Sequence, residues 1–149
     1  MINKIRLQNW KSHTDTELSF TPGANVIIGP MGAGKSSVLQ AISFALFGTF
    51  SELKRKELKI SDIVKRNSEI KNAAVDIELA IGNEILQIKR IIEDGNTKEA
   101  TIRNKEGKLL AGTNPAQVSA YLKDVLRIDE DIFLRTIYAK QKKLTCSCS

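Results

Sequence analysis

The eight residues Gly29-Pro30-Met31-Gly32-Ala33-Gly34-Lys35-Ser36 constrain this chain more than any other stretch. They fit the spacing G-x-x-x-x-G-K-[ST], and their flanks decide what that spacing means. Asn25-Val26-Ile27-Ile28 before them is short, β-branched and continuous, the pattern of a strand buried on both faces. Lys35 to Phe47 is apolar on most sides through Val38, Leu39, Ala41, Ile42, Ala45 and Leu46, with Gly48 as a natural stop. A helix packed against a sheet is expected there. Strand, glycine turn and helix in that order make a phosphate-binding loop. Glycines let the chain coil until successive N–H groups point inward at an anion. The helix adds the positive end of its dipole. The residue types then assign roles: Lys35 to the β- and γ-phosphates of a nucleotide, and the Ser36 hydroxyl to Mg²⁺.

The remainder reads as sheet, loop and helix. Ile2 to Trp10 alternates apolar and polar residues, a polar turn follows at Lys11-Ser12-His13, and a second strand is expected from Thr16 to Phe20 before the turn Thr21-Pro22-Gly23. Ser51 to Asn67, rich in Lys, Arg and Glu, reads as a surface loop or short helix. From Ala73 the period is two, with Val75, Ile77, Leu79 and Ile81 on one face and Asp76 and Glu78 on the other. Gly82-Asn83 turns the chain into Glu84 to Ile92, Asp94-Gly95-Asn96 into Ala100 to Arg103, and Lys105-Glu106-Gly107 into Lys108 to Leu110: an antiparallel meander. Thr113-Asn114-Pro115 starts a helix with an apolar stripe of Val118, Tyr121, Leu122, Val125 and Leu126. Asp129 to Lys140 is a short apolar segment. The fold class is therefore α/β, with a central phosphate-loop helix and a β-meander. Trp10 is expected in the core at the corner of the first two strands, Tyr121 buried, and His13 in a turn or packing role.

Length and composition add limits. With 149 residues and 42% hydrophobic residues, one domain with a real core is expected. No apolar run approaches the ~18 residues that span a bilayer, and the start lacks the apolar stretch of a signal peptide. An intracellular protein with no membrane partner follows as the expectation: cytoplasmic or nucleoid-associated in a prokaryote, nuclear in a eukaryote. Cys146 and Cys148 lie in the last four residues, outside any structural element that a disulfide framework would staple. The net charge of +6 is compatible with a polyanionic partner without selecting one. Lys54, Arg55, Lys56, Lys59, Lys65 and Arg66 cluster after the helix, with Glu52 and Glu57 interleaved. That cluster reads equally as a DNA-phosphate patch or as a solvated charged surface.

Phosphate loops serve GTPases, kinases, helicases and ABC-type ATPases alike. The nearest string to a guanine reader, Asn104-Lys105-Glu106-Gly107, has glycine where an acid must sit. No acidic residue ends a buried apolar strand, and Asp76 and Glu78 alternate with apolar neighbours as a solvated face does. The acidic half of a Mg²⁺ site is thus absent from the pattern. The site looks incomplete.

Asn9-Trp10-Lys11-Ser12-His13 after a first strand, Asn25-Val26-Ile27-Ile28-Gly29, the phosphate loop with its second serine Ser37, and Ile137-Tyr138-Ala139-Lys140-Gln141 together resemble one family. It is the SMC-like ATPase of DNA double-strand-break repair, the Rad-fifty type that pairs with the Mre-eleven nuclease. The resemblance runs from about Met1 to Lys142. It implies the N-terminal lobe of an ABC-type ATPase head, here residues 1–144, with 145–149 as a frayed or foreign tail. A coiled coil would follow, and a C-terminal lobe would bring the signature motif, Walker B Asp and catalytic Glu. Two heads would sandwich two ATPs in a homodimer that acts on DNA with its nuclease. By position, Met31, Gly32, Ala33, Gly34, Lys35, Ser36 and Ser37 would cradle the phosphates of ATP. Ser36 and Gln141 would hold Mg²⁺, with Gln141 also sensing the γ-phosphate and the attacking water. Lys11 matches a basic residue near the nucleotide, and Val64-Lys65-Arg66 a loop beside it. Met31 replaces the family's usual Asn, and Lys11 its usual Arg, a point charge in place of a bidentate fork. A chromosome-organising SMC-type head shares the split architecture, and Met31 keeps open a non-catalytic module that uses ATP only to regulate assembly. An ABC transporter domain is disfavoured, because Gln141 lies too far beyond Lys35.

Overall fold

The computed structural model describes residues 1–23, 35–65 and 69–127. The expected strand Asn25 to Ile28, the loop Gly29 to Gly34, Arg66, the segment Asp129 to Lys140, Gln141 and the tail lie outside those residues.

Six antiparallel strands form one sheet in the order β2-β1-β3-β4-β5-β6. They are β1 (Ile2–Trp10), β2 (His13–Ser19), β3 (Asn72–Ile81), β4 (Glu84–Glu93), β5 (Asn96–Asn104) and β6 (Leu109–Gly112). The meander follows the turn chemistry of the sequence. Ile81 pairs with Glu84 around Gly82-Asn83, and Glu93 with Asn96 around Asp94-Gly95. Asp94 and Gly95 both take positive φ, 52° and 76°, the twist that suits a two-residue hairpin. β2 and β5 begin earlier than their apolar residues indicate, at His13 and Asn96. Ladder bonds to β1 and β4 recruit polar residues that propensity alone leaves out of a strand.

One face of the sheet is apolar and carries the helices. Ile5 and Leu7 of β1, Ala73, Val75, Ile77 and Leu79 of β3, Leu86, Ile88 and Ile92 of β4, and Ala100 and Ile102 of β5 are buried. Helix α1 (Lys35–Phe47) lies across them through Val38, Ala41, Phe44 and Ala45. Gly48, at φ 76°, ends it by donating its N–H to Phe44 O at 2.7 Å, as a left-handed C-terminal glycine does. Helix α3 (Pro115–Leu126) buries Val118 and Leu122 on the same side, and its N-cap Asn114 accepts from Ala116 N at 2.9 Å. Tyr121 is half-buried, because it flanks the stripe that Val118 and Leu122 centre. Between Phe50 and Val64 the chain makes a short helix α2 (Ser51–Lys54) and a 3-10 turn (Ile60–Asp62), then drops Ile63 fully into the core.

The opposite face is a charge ladder. Arg6 on β1 is bonded bidentately to Asp15 on β2, Nε–Oδ1 3.0 Å and Nη2–Oδ2 2.9 Å, and Lys4 pairs with Glu17 at 2.9 Å. Asp76 on β3 sits between Arg6 and Lys89, 3.9 Å from the Lys89 ammonium. Such exposed pairs contribute under about 1 kcal/mol each. Burial nonetheless pushes the Asp76 carboxyl above its usual range, against the pull of Lys89 and Arg6. A raised folded-state pKa means that the penalty is full above it and vanishes once both states are protonated at low pH. Asp76→Asn is therefore expected to raise Tm slightly at pH 7. That gain should fade as the pH falls through the carboxylate range in paired melting curves; an equal gain at pH 3 would contradict the assignment. Among the described residues no helix is long and apolar enough to cross a membrane, which leaves strands unaddressed.

Candidate functional site

α1 begins at Lys35, at the end of the phosphate-loop octapeptide, and carries no acidic residue in its first turn. Helices commonly place a carboxylate there to offset the dipole. Here the positive end is left uncompensated by the helix's own side chains.

Residues 10–11 pack on the first half of this helix, and a second segment, far off in sequence, packs on them in turn. The indole of Trp10, fully buried, donates from Nε1 to the carbonyl oxygen of Ser37 at 3.1 Å and packs against Phe44 with ring centroids 5.4 Å apart. The neighbouring Lys11, in the turn after β1 at φ 49°, reaches along the helix. Its ammonium donates to Gln40 Oε1 at 2.5 Å and stands 5.6 Å from the centroid of the Phe50 ring. Burial pushes this ammonium below the usual lysine range, while Glu52 and Asp62 pull it back. The second segment is 63–65. Lys11 N–H donates to Ile63 O at 2.6 Å, Trp10 and Val64 form a β-bridge, and Lys65 N–H donates to Asn9 O at 2.9 Å. The Lys65 ammonium is bonded to Thr14 Oγ1. Lys11, Val64 and Lys65 thus meet at the β1–β2 turn, and Trp10 links that turn to Ser37. The side chains of Lys35 and Ser36 lie outside the described set, as do Met31, Gly32, Ala33, Gly34, Arg66 and Gln141.

Two participants escaped the pattern reading. Gln40 sits one turn beyond Ser36 on α1, buried at 7% exposure, and its polarity within the apolar run Val38 to Leu46 was the available signal. Phe50 lies past the helix stop and carried none. His13, which opens strand β2 opposite Trp10, is held by a ring-nitrogen contact of 2.9 Å to Thr16 Oγ1, a packing role. Lys54, Arg55, Lys56 and Lys59 are exposed, with Arg55 paired to Glu57 at 3.2 Å. A depression on the far face of the sheet, lined by Lys4, Arg6, Asp76 and Lys89, mixes both signs of charge and offers no single sign to a polyanion.

The described residues thus form a six-stranded antiparallel sheet covered on one face by helices, one of which begins at the lysine of the phosphate-loop octapeptide. A solved structure from work on ATP-driven dimerization and DNA-stimulated activation of SMC ATPases has this fold. Its TM-score is 0.69 at 23% identity, covering 96% of this chain and 93% of that one. The model of the AAA domain family matches residues 4–145, and the chain belongs to that family. Among curated proteins, the DNA double-strand break repair Rad50 ATPase of Thermoplasma acidophilum is 32% identical over 146 residues, 97% of this chain. The Rad50 ATPase of Sulfolobus acidocaldarius is 36% identical over 138 residues, 91% of this chain. The chain spans only 16% and 15% of the length of these two relatives. The resemblance carried by the four sequence segments is the one these similarities find.

Proposed function

We propose that residues 1–144 are the ATP-binding N-terminal lobe of an ABC-type ATPase head of the Rad50 kind, with 145–149 a tail outside it. One observation carries the reading: Trp10 and Lys11 reach the opening turns of the helix that starts at Lys35, and the 63–65 segment lies against the β1–β2 turn that carries them. A helix N-terminus free of its own carboxylates, with a half-buried cation beside it, fits a triphosphate. The backbone amides of Gly29 to Gly34 would cradle the phosphates together with Lys35, Ser36 and Ser37. Lys11 and Val64-Lys65-Arg66 would stand beside the nucleotide. Ser36 and Gln141 would hold Mg²⁺, which when bound neutralises phosphate charge.

The acids needed for hydrolysis would come from a C-terminal lobe of the same ATPase, and the signature motif from a second, identical head. ATP would then act chiefly as a dimerisation clamp, released by hydrolysis. A double-strand-break repair nuclease and DNA are the proposed partners, with the exposed Lys54, Arg55, Lys56 and Lys59 as phosphate contacts, in an intracellular setting. The likeness in fold to an SMC ATPase supports a second reading, a chromosome-organising head with the same nucleotide chemistry. Co-purification of the parent protein with a nuclease separates the two.

The decisive test measures ATP binding and turnover for the chain alone and mixed with its C-terminal lobe. The chain alone should bind Mg²⁺–ATP but hydrolyse almost none, and the mixture should turn it over. Lys35→Ala should weaken binding by about 100-fold, roughly 2.7 kcal/mol, and stop turnover. Brisk hydrolysis by the isolated chain would sink the split-site reading.

A further inference from the structure

Lys11 raises a question that the phosphate loop does not answer: what aims a flexible lysine at a nucleotide? Among the described residues its ammonium makes no ion pair. Glu52 and Asp62 act on it only through space. Its contacts are one neutral acceptor, Gln40 Oε1, and the face of Phe50. A lysine side chain has four rotatable bonds, and ordering it during ligand binding subtracts from affinity. A neutral acceptor orders the ammonium while leaving its charge uncancelled. Gln40 is suited to that task, since it is 7% exposed and fixed on α1 one helical turn from Ser36. Gln40 and Lys11 come from the helix and from the β1–β2 turn, so the contact also joins the two elements that flank the first helical turn.

We propose that Gln40 is a positioning residue: its carboxamide oxygen holds the Lys11 ammonium beside α1, so that the cation meets the phosphates of a bound nucleotide already aimed. This rests on the nucleotide-binding reading above and adds to it a residue that the loop motif does not contain.

The experiment titrates a fluorescent methylanthraniloyl-ATP with Mg²⁺ into the 149-residue chain and its variants, with thermal melts on the same samples. Lys11→Ala should bind about 10-fold more weakly, the value of one charge-assisted contact. Gln40→Leu, similar in size but without the acceptor, should lose about 5-fold. Gln40→Glu, which keeps an oxygen in the same place but cancels the ammonium's charge, should bind no better than Gln40→Leu. The double variant Lys11→Ala/Gln40→Leu should bind no worse than Lys11→Ala alone, because Gln40 acts only through Lys11. If Gln40→Leu does not melt cooperatively, Gln40→Met takes its place in the same comparison.

Wild-type affinity in the folded Gln40→Leu protein overturns the proposal, as does a Gln40→Leu loss that adds in full to that of Lys11→Ala. So does wild-type affinity in Gln40→Glu. If wild type binds nucleotide and Lys35→Ala does not, these outcomes judge Gln40 alone. If wild type binds none, both the site and this refinement of it fall.

Discussion

Trp10→Ala is expected to remove about 3–5 kcal/mol of stability, a large part of what holds a domain of this size together. Trp10 heads the largest fully buried side chains of the described core, with 0% exposure. Three separate losses meet at this position. The indole fills space against Phe44, and its deletion leaves a cavity. Its N–H satisfies the carbonyl of Ser37, which alanine would leave without that partner. Its backbone pairs with Val64, so a collapse there loosens the 63–65 segment as well. The expected fall in Tm is roughly 10 °C or more. Trp10→Phe divides the effect: it keeps most of the packing and loses the donor, and should cost about 1–2 kcal/mol. Urea titrations followed by circular dichroism measure both. An alanine variant that melts within two or three degrees of wild type would show that the indole does not bear on the core as described. Because Trp10 is the sole tryptophan and contacts Ser37, its emission should also respond to Mg²⁺–ATP in the wild-type chain.

Arg90→Ala is the second large effect, at about 3 kcal/mol. Arg90 projects from β4 onto the apolar face and is 1% exposed, without a carboxylate partner among the described residues. Its Nε donates to Ala45 O at 2.8 Å and its Nη2 to Ser119 Oγ at 3.0 Å, while Ser119 in turn donates to Phe47 O at 3.3 Å. Nη1 is buried with no hydrogen-bond partner among the described residues. Ala45 and Phe47 belong to the last turn of α1, where the dipole is negative and the helix supplies no basic residue of its own. The sheet supplies the cation instead, and the same guanidinium ties α1 to α3. Alanine removes the stem volume and the donors together. Arg90→Met restores much of the volume and escapes the cost of a buried charge, so it should lose only about 1–2 kcal/mol.

The pH dependence follows from the charge. Burial lowers the Arg90 pKa to about 10, so the folded protein releases this proton before the unfolded chain does. Stability attributable to the group is therefore flat from pH 5 to about 9 and rises only above about pH 10. Chemical denaturation of wild type and Arg90→Met at pH 6 and 8 should give the same difference. A difference that grows between those values would mean that Arg90 is coupled to a group titrating there.

The buried arginine was legible. In Glu84 to Ile92 it shares its parity with Leu86, Ile88 and Ile92, so alternation alone assigns it to the inner face. Trp10 is in the core, as expected of it from its place at the corner of the first two strands, but alternation does not explain why. Leu7 points inward, so strict alternation sends Trp10 outward with Gln8 and Arg6. Asn9 takes φ 54°, and its side-chain amide donates to Ile70 O at 2.8 Å and Asn72 O at 2.7 Å. That left-handed step turns Trp10 back toward α1. Alternation records side-chain chemistry, whereas the step depends on a carbonyl pair some sixty residues away.

From its own residues the chain determined the bounds of α1, the turns of the meander, the capped start of α3 and the identity of the phosphate-loop octapeptide. Each is a local matter: apolar period, glycine where φ must be positive, an N-cap before proline. The tertiary structure alone decided that Lys11 meets Gln40 and Phe50, and that 63–65 lies against the β1–β2 turn. Those neighbours are joined by the burial of Trp10 and Ile63 in one core, and such contacts between distant segments leave no periodic trace along the sequence.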